Sequence, residues 1–186
     1  MKNYIIFGTP GAGKGTQAKI IAQDKDLEHL SSGELSRRML DDKILGPKIK
    51  KRIEAGKLVP NYIIIDLVEK YVANRLDGRG FIFDGYPRNL SQAKSLDKFI
   101  QKKHLEINLV INLKLNEEEA LKRILLRGQS SGRSDDNIKT TKNRLKIYHE
   151  RTEPILEYYR EKGILKELDG SQSIEKVAKE IKKLIK

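Results

Sequence analysis

A lysine stands at the end of a glycine-rich loop near the start of the chain, a combination that typically binds phosphate. Residues 8–14, GTPGAGK, match the first seven positions of the phosphate-loop pattern GxxxxGK[ST]. In such a loop, backbone N–H groups face one point, and the helix that follows adds partial positive charge there. Lys14 can then reach the outer phosphates of a nucleotide. The next residues are Gly15 and Thr16, so the hydroxyl that usually ligates Mg²⁺ is displaced or absent.

The elements needed to hold this loop are predicted by short apolar runs that alternate with helical spacing. Residues 4–7 predict a buried strand before the loop, and residues 16–22 predict a helix after it. Similar runs predict further strands at residues 81–83, 109–113 and 164–168, with a short one at 27–30. Apolar strands followed by helices indicate a parallel sheet covered on both faces. We therefore predict an α/β, three-layer phosphate-loop NTPase fold with about five strands.

Two segments do not fit the sheet. Residues 32–60 indicate short helices broken at Gly46-Pro47 and Gly56, and residues 128–137, GQSSGRSDDN, indicate a polar loop between helices. Loops carried on a rigid sheet are common places for function.

Composition excludes several classes of protein. The chain has 186 residues and a net charge of +12, which suggests anionic partners such as nucleic acid, a membrane surface or phosphate-rich small molecules. It has no Cys, which excludes disulfides, a Cys nucleophile and a thiolate zinc site, so no zinc is expected. No apolar run has the length of a signal peptide or membrane span.

An ordered set of motifs resembles the nucleoside monophosphate kinases. The segment GTPGAGKGT is similar to their loop GxPGxGKGT, in which glycine is normal after the lysine. Residues 30–37, 56–60 and 84–88 resemble the start of the monophosphate-site helix, the far edge of that site and the DG[FY]PR signature. Residues 131–137 resemble a short lid, and Arg144 follows it. The set is most similar to the adenylate kinases that have a short lid.

This resemblance implies reversible phosphoryl transfer from ATP to AMP, giving two ADP, with Mg²⁺ as cofactor. Catalysis would depend on positioning and charge neutralisation rather than on a strong base. The implied catalytic residues are Lys14, Arg88, Arg127, Arg133 and Arg144. The implied ATP-binding residues are Gly11, Ala12, Gly13, Lys14, Gly15, Thr16, Arg127 and Gln172. The implied AMP-binding residues are Ser32, Arg37, Lys57, Leu58, Val59, Gly85, Tyr86, Pro87, Arg88, Gln92, Arg133 and Arg144.

The resemblance also implies supporting roles. Asp84 would hold Mg²⁺ through water, Arg123 would join the other arginines, and Asp135 and Asp136 would orient the lid arginines. It divides the single domain into a core (1–30, 61–126 and 138–186), an AMP-binding excursion (31–60) and a short lid (127–137). A cytoplasmic monomer that binds no nucleic acid and no membrane is expected.

Three alternatives differ in substrate or class. The related uridylate–cytidylate kinases tend to carry Asn where this chain has Gln92, so Gln92 favours AMP. A regulatory GTPase would be expected to carry an Asn-Lys-x-Asp motif, which the chain lacks. A basic RNA-binding protein is suggested by the charge alone, without a recognised nucleic-acid motif. The histidines, His29, His104 and His149, match no metal spacing and are predicted to be ordinary surface or packed residues.

Overall fold

The computed structural model describes residues 1–131 and 133–185. Gly132, in the expected lid, and Lys186, at the end of the expected core, lie outside the described residues. No helix within the described ranges is both long enough and apolar enough to cross a bilayer.

The described residues form a five-stranded parallel sheet, which confirms the predicted fold class. The strands are β1 (Asn3–Gly8), β2 (Glu28–Ser31), β3 (Phe81–Asp84), β4 (Ile107–Lys114) and β5 (Leu165–Asp169). Their order is β2-β3-β1-β4-β5, so β1 lies between β3 and β4. The connection after β1 runs towards β2, whereas the connection after the neighbouring strand β4 runs the opposite way, to β5. Ligands of open α/β sheets bind at such a point, beyond the carboxyl ends of the strands.

Helices cover the sheet and build the segments beyond it. They are α1 (Lys14–Asp24), α2 (Ser32–Arg38), α3 (Gly46–Glu54), α4 (Asn61–Ala73), α5 (Leu90–Lys102), α6 (Glu117–Ser131), α7 (Ile138–Ile147), α8 (Glu153–Glu161) and α9 (Ile174–Leu184). One π-helical turn, Tyr148–Thr152, joins α7 to α8. Asn89 and Asn137 begin α5 and α7 by accepting a hydrogen bond from the backbone N–H three residues later.

Successive side chains of β1 point to opposite faces of the sheet, and each face is covered by helices, which gives three layers. Ile5 and Phe7 pack on one face with Phe81, Phe83 and Tyr159. Tyr4 and Ile6 pack on the other face with Ile82, Ile111 and Ile181. Because both faces of the strand are buried, its sequence is a continuous apolar run rather than an alternating one.

The segment after α6 differs from its sequence-based description. Helix α6 continues through Gly128 to Ser131, whereas residues 128–137 were expected to form a loop. Polar side chains can cover an exposed helical turn as well as a loop, and α6 packs against α7 here. The described non-helical residues between the two helices, 133–137, are therefore fewer than composition indicates, and Asn137 is the cap of α7.

Candidate functional site

Two adjoining cavities lie at the carboxyl ends of β1 and β3. The larger, of about 470 Å³, lies between the phosphate loop, the end of β3 and α6. The smaller, of about 80 Å³, lies between α2, the segment after α3 and the start of α5. The two share Arg37, Arg88 and Arg144. Together they form one cleft with basic side chains at its centre.

Lys14 lies at the floor of this cleft. Gly13, with a φ of 83°, turns the loop into α1, and Lys14 is the first residue of that helix. The ammonium group donates to the carbonyl oxygens of Gly8 and Thr9, at 2.7 and 3.0 Å. Burial among protein atoms, with repulsion from nearby arginines, lowers the pKa of Lys14 to about 8, although Asp84 opposes this shift. An anion bound in the cleft would reverse the shift.

Arginines from distant parts of the chain surround the same space. Those that line the larger cavity include Arg37, Arg88, Arg127, Arg133 and Arg144. Burial and repulsion from the other arginines lower the pKa of Arg144 to about 10. Several like charges therefore face one space, which favours an anion there.

Two buried carboxylates hold one arginine of the lid segment, Arg127, and one that follows it, Arg144. Asp136, whose side chain is fully buried, accepts two hydrogen bonds from Arg127, at 2.7 and 2.8 Å. It also accepts one from Arg144 at 3.1 Å, and Asp135 pairs with the same guanidinium. Both acids therefore contact the arginines that they were expected to orient.

Asp84 ends β3 and faces the larger cavity. Burial disfavours its ionised form, but neighbouring His29 and the charges on Lys14 and Arg88 hold the pKa of the carboxyl below its ordinary value. The Nε2 atom of His29 lies 3.5 Å from Asp84 Oδ2. His29 is a packed residue, as expected, but its place beside Asp84 could not be predicted without the pairing of β2 with β3.

The smaller cavity collects most of the residues assigned to the monophosphate. Ser32, Lys57, Leu58, Val59, Gly85 and Gln92 line it. Gly85 has a φ of 68°, and its carbonyl accepts from Arg88 Nε at 2.7 Å. A Cβ at Gly85 would lie 2.9 Å from Arg88 Nη2, so glycine is required for this arginine to occupy its position.

Of the described residues that the sequence assigns to nucleotide or Mg²⁺ binding, three do not line either cavity. Ala12 and Tyr86 are buried in the hydrophobic core, and the Ala12 N–H donates to the Thr9 carbonyl. The amide nitrogen of Gln172 lies 3.4 Å from the Asp169 carbonyl oxygen and 3.4 Å from Glu180 Oε2. Arg123 lines the larger cavity, but its guanidinium is held by Glu119 and the Gly170 carbonyl.

Other lining residues had no role in the sequence-based assignment. Tyr148 and Thr152, on the π-helical turn, face the larger cavity. The Thr152 hydroxyl donates to the Arg88 carbonyl at 3.1 Å, which ties the α7–α8 segment to the arginine. No local sequence pattern predicts a π-helical turn, which is often found at functional sites.

Tyr86→Phe is expected to stabilise the protein. The Tyr86 hydroxyl is buried without a hydrogen-bond partner in the structure, and burial raises its pKa. Deleting an unpaired polar group removes a desolvation cost of about 1 kcal/mol, which corresponds to roughly 2–4 °C in the unfolding midpoint of a chain this size. Thermal unfolding measures the change. Tyr71→Phe is the matched control with the opposite sign, because the Tyr71 hydroxyl donates to Glu28 at 2.6 Å. A loss of stability in Tyr86→Phe as large as in Tyr71→Phe would contradict this expectation.

Comparison with known proteins places this cleft in context. The adenylate kinase family model matches residues 6–164. An adenylate kinase of Parabacteroides distasonis is 40% identical over 186 residues, covering 100% of this chain and 98% of the relative. An adenylate kinase of Azobacteroides pseudotrichonymphae is 43% identical, and the match covers 97% of this chain and 95% of the relative. One of Leptospira biflexa is 39% identical, covering 100% of both.

Proposed function

The chain belongs to the adenylate kinase family, and on that premise we propose how its residues transfer a phosphoryl group from ATP to AMP to give two ADP. Members of the family are nucleoside monophosphate kinases. The observation that carries the assignment of roles is the convergence of Lys14 and five arginines on one cleft, beside a smaller cavity lined by Gln92.

ATP would bind with its phosphates over the loop that precedes α1. Backbone N–H groups of residues 11–16 and the Lys14 ammonium would hold the phosphates, with Arg127 near the adenine. The role of Gln172 would be a contact between its backbone carbonyl and the adenine of ATP. The position of its side chain therefore gives no support to that role. The N–H of Ala12 already donates within the loop, so its part in phosphate binding would require that bond to be shared.

AMP would bind across the smaller cavity. Arg37 and Arg88 would clamp its phosphate, since a guanidinium can donate two parallel hydrogen bonds to phosphate oxygens. Ser32, Lys57, Leu58, Val59, Gly85 and Pro87 would enclose the nucleoside, and Gln92 would face the base. The buried position of Tyr86 suits a supporting role beneath this site rather than contact with AMP.

The reaction needs no general base, because the attacking AMP phosphate oxygen is already ionised at neutral pH. Arg88, Arg127, Arg133 and Arg144, with Lys14, would neutralise charge on the transferred group and align the reacting oxygens. The excursion of residues 31–60 and the lid of residues 127–137 would close over the nucleotides. Closure excludes water, which would otherwise accept the phosphoryl group.

Asp84 fits a role in binding Mg²⁺. It is a hard oxygen donor held in its ionised form, and a Cβ at Gly15 would lie 3.3 Å from its Oδ2, so glycine leaves room beside the carboxylate. Mg²⁺ in nucleotide sites keeps several waters and uses few protein carboxylates, with phosphates as further ligands. When bound, the ion would neutralise charge on the ATP phosphates.

A coupled assay of ADP formation tests the function. We expect turnover with ATP and AMP, and lower kcat/KM with UMP, CMP or GMP. A higher kcat/KM for UMP or CMP would select a uridylate–cytidylate kinase, and absence of AMP-dependent ADP formation would overturn the proposal.

A cytoplasmic, monomeric state without nucleic-acid partners is also proposed, and rests on the family resemblance. Light scattering during size-exclusion chromatography tests the monomer. A filter-binding titration at physiological salt tests for RNA, and tight, salt-sensitive binding without kinase turnover would favour a basic RNA-binding protein.

ATP binding is expected to take up protons near pH 9. In the free protein the pKa of Lys14 is about 8, so at pH 9 most of its amines are neutral. Bound phosphates favour the charged form and raise this pKa, so protons are taken up between pH 8 and 10, and ATP affinity falls as pH rises through this range. Calorimetry in two buffers of different ionisation enthalpy measures the uptake. Lys14→Met should abolish it, and equal uptake in that variant would refute the assignment to Lys14.

A further inference from the structure

Gln92 belongs to a closed network of three side-chain amides beside the smaller cavity. The Arg88 backbone N–H donates to Gln92 Oε1 at 2.7 Å, and Gln92 Nε2 donates to Asn61 Oδ1 at 2.8 Å. Asn89 Nδ2 donates to the same Asn61 oxygen at 2.9 Å. Asn89 Oδ1 in turn accepts from the Gln92 backbone N–H at 3.0 Å.

Two backbone N–H groups determine the orientation of every amide in this network. A backbone N–H can only donate, so the backbone N–H of Gln92 requires the side-chain oxygen of Asn89 as its acceptor. The NH₂ group of Asn89 is thereby directed towards Asn61. Asn61 must then present its oxygen, because its NH₂ would meet two other donors. The Arg88 N–H and Asn61 Oδ1 together allow only one orientation of the Gln92 amide, with its oxygen towards Arg88 and its nitrogen towards Asn61.

The network leaves Gln92 with one acceptor site and one donor site for a ligand. A carbonyl oxygen has two lone pairs and an amide nitrogen two hydrogens, and the protein uses one of each. Gln92 is almost fully buried and lines the smaller cavity. A 6-amino purine presents an amino donor beside a ring-nitrogen acceptor, which matches this pair. A 6-oxo purine presents an oxo acceptor beside an N–H donor, which matches only an amide turned by 180°.

We infer that Asn61, held by Asn89, is a positioning residue that prevents Gln92 from turning and so makes the monophosphate site reject 6-oxo purines. This inference rests on the proposed function, in which Gln92 faces the base of AMP. Asn61 acts through Gln92, and it begins α4, whereas Gln92 lies on α5. The contact between the two helices thus determines the hydrogen-bonding pattern offered to the base.

The test compares kcat/KM for AMP and for inosine monophosphate, with ATP saturating, in the wild-type protein and in variants. Asn61→Leu, of similar size but without an acceptor, should lower the AMP-to-IMP ratio about tenfold, which corresponds to about 1.4 kcal/mol of lost discrimination. The change should appear mainly in KM for the monophosphates, with KM for ATP unchanged. Asn61→Asp keeps an oxygen for both donors and should retain the wild-type ratio.

Asn89→Asp provides a second test that does not depend on the folding of Asn61→Leu. It keeps the oxygen that caps α5 but loses the donor that orients Asn61, so the ratio should fall in the same direction. An unchanged ratio in Asn61→Leu or in Asn89→Asp, or an equal fall in Asn61→Asp, would overturn the inference while leaving the kinase function intact. Failure of the wild-type protein to phosphorylate AMP would instead refute the proposed function, and that is measured before any variant.

Discussion

Arg88→Ala is expected to lower kcat/KM for AMP by about a thousandfold or more, in the range found when one arginine that stabilises phosphoryl transfer is removed. Arg88 lines both cavities, where the phosphates of the two nucleotides would meet. Its side chain is aimed by the Gly85 carbonyl, and its backbone is tied to Thr152 and Gln92. Since the backbone contacts survive the substitution, the loss should fall on the rate and on AMP binding rather than on folding.

Two further variants separate charge from geometry. Arg88→Lys keeps a positive charge but cannot donate two parallel hydrogen bonds, so it should recover only a small part of the lost activity. Arg151→Ala removes an exposed arginine that does not line the cleft and should retain wild-type kinetics. Unchanged AMP kinetics in Arg88→Ala, measured with the coupled assay at saturating ATP, would refute the role of the clamp.

The phosphate loop, the sheet and the cleft arginines could be predicted because their signals are local or ordered along the chain. Residues 4–7, before Gly8, are a continuous buried run of aromatic and β-branched side chains, and Lys14 follows the glycines at the spacing that phosphate binding requires. The strand order could not be derived from these runs alone. It depends on pairing between strands that are far apart in sequence, such as β1 with β3 and with β4.

What could not be predicted depends on contacts between segments far apart in sequence. Asn61 and Gln92 are separated by 31 residues, and Thr152 reaches the Arg88 carbonyl across 64. Tyr86 belongs to a signature motif, yet it is buried in the core and supports the site from below. A motif thus contains residues that support a site as well as residues that face a ligand. A motif therefore predicts where a site lies more reliably than which of its side chains touch the substrate.

Asp136→Ala is expected to destabilise the free protein and to slow the reaction. Its carboxylate, 0% exposed, is shared by Arg127 and Arg144. Without it Arg127 would lose this counter-charge, and Arg144 would keep only its pair with Asp135. Breaking a fully buried ion pair costs about 3–5 kcal/mol, but the arginine side chains are 41% and 23% exposed, so solvent screening reduces the cost. We expect about 2 kcal/mol, or roughly 4–8 °C in the unfolding midpoint. Asp66→Ala, which removes the carboxylate of an exposed pair with Lys70, should cost under about 1 kcal/mol.

Nucleotide should reduce the loss of stability in Asp136→Ala, because bound phosphates supply the negative charge that the substitution removes. The difference in unfolding midpoint between this variant and the wild-type protein should therefore be smaller with saturating ATP than without ligand, whereas the Asp66→Ala difference should not change. Thermal unfolding with and without ATP measures both. If the Asp136→Ala difference is the same with and without ATP, the arginines bind the carboxylate for structural reasons alone, and their proposed part in phosphoryl transfer is contradicted. If the difference in unfolding midpoint is smaller with ATP, the same guanidinium groups bind Asp136 in the free protein and phosphates in the complex. Asp136 then occupies, in the free protein, the place that the phosphates of the substrate take when bound.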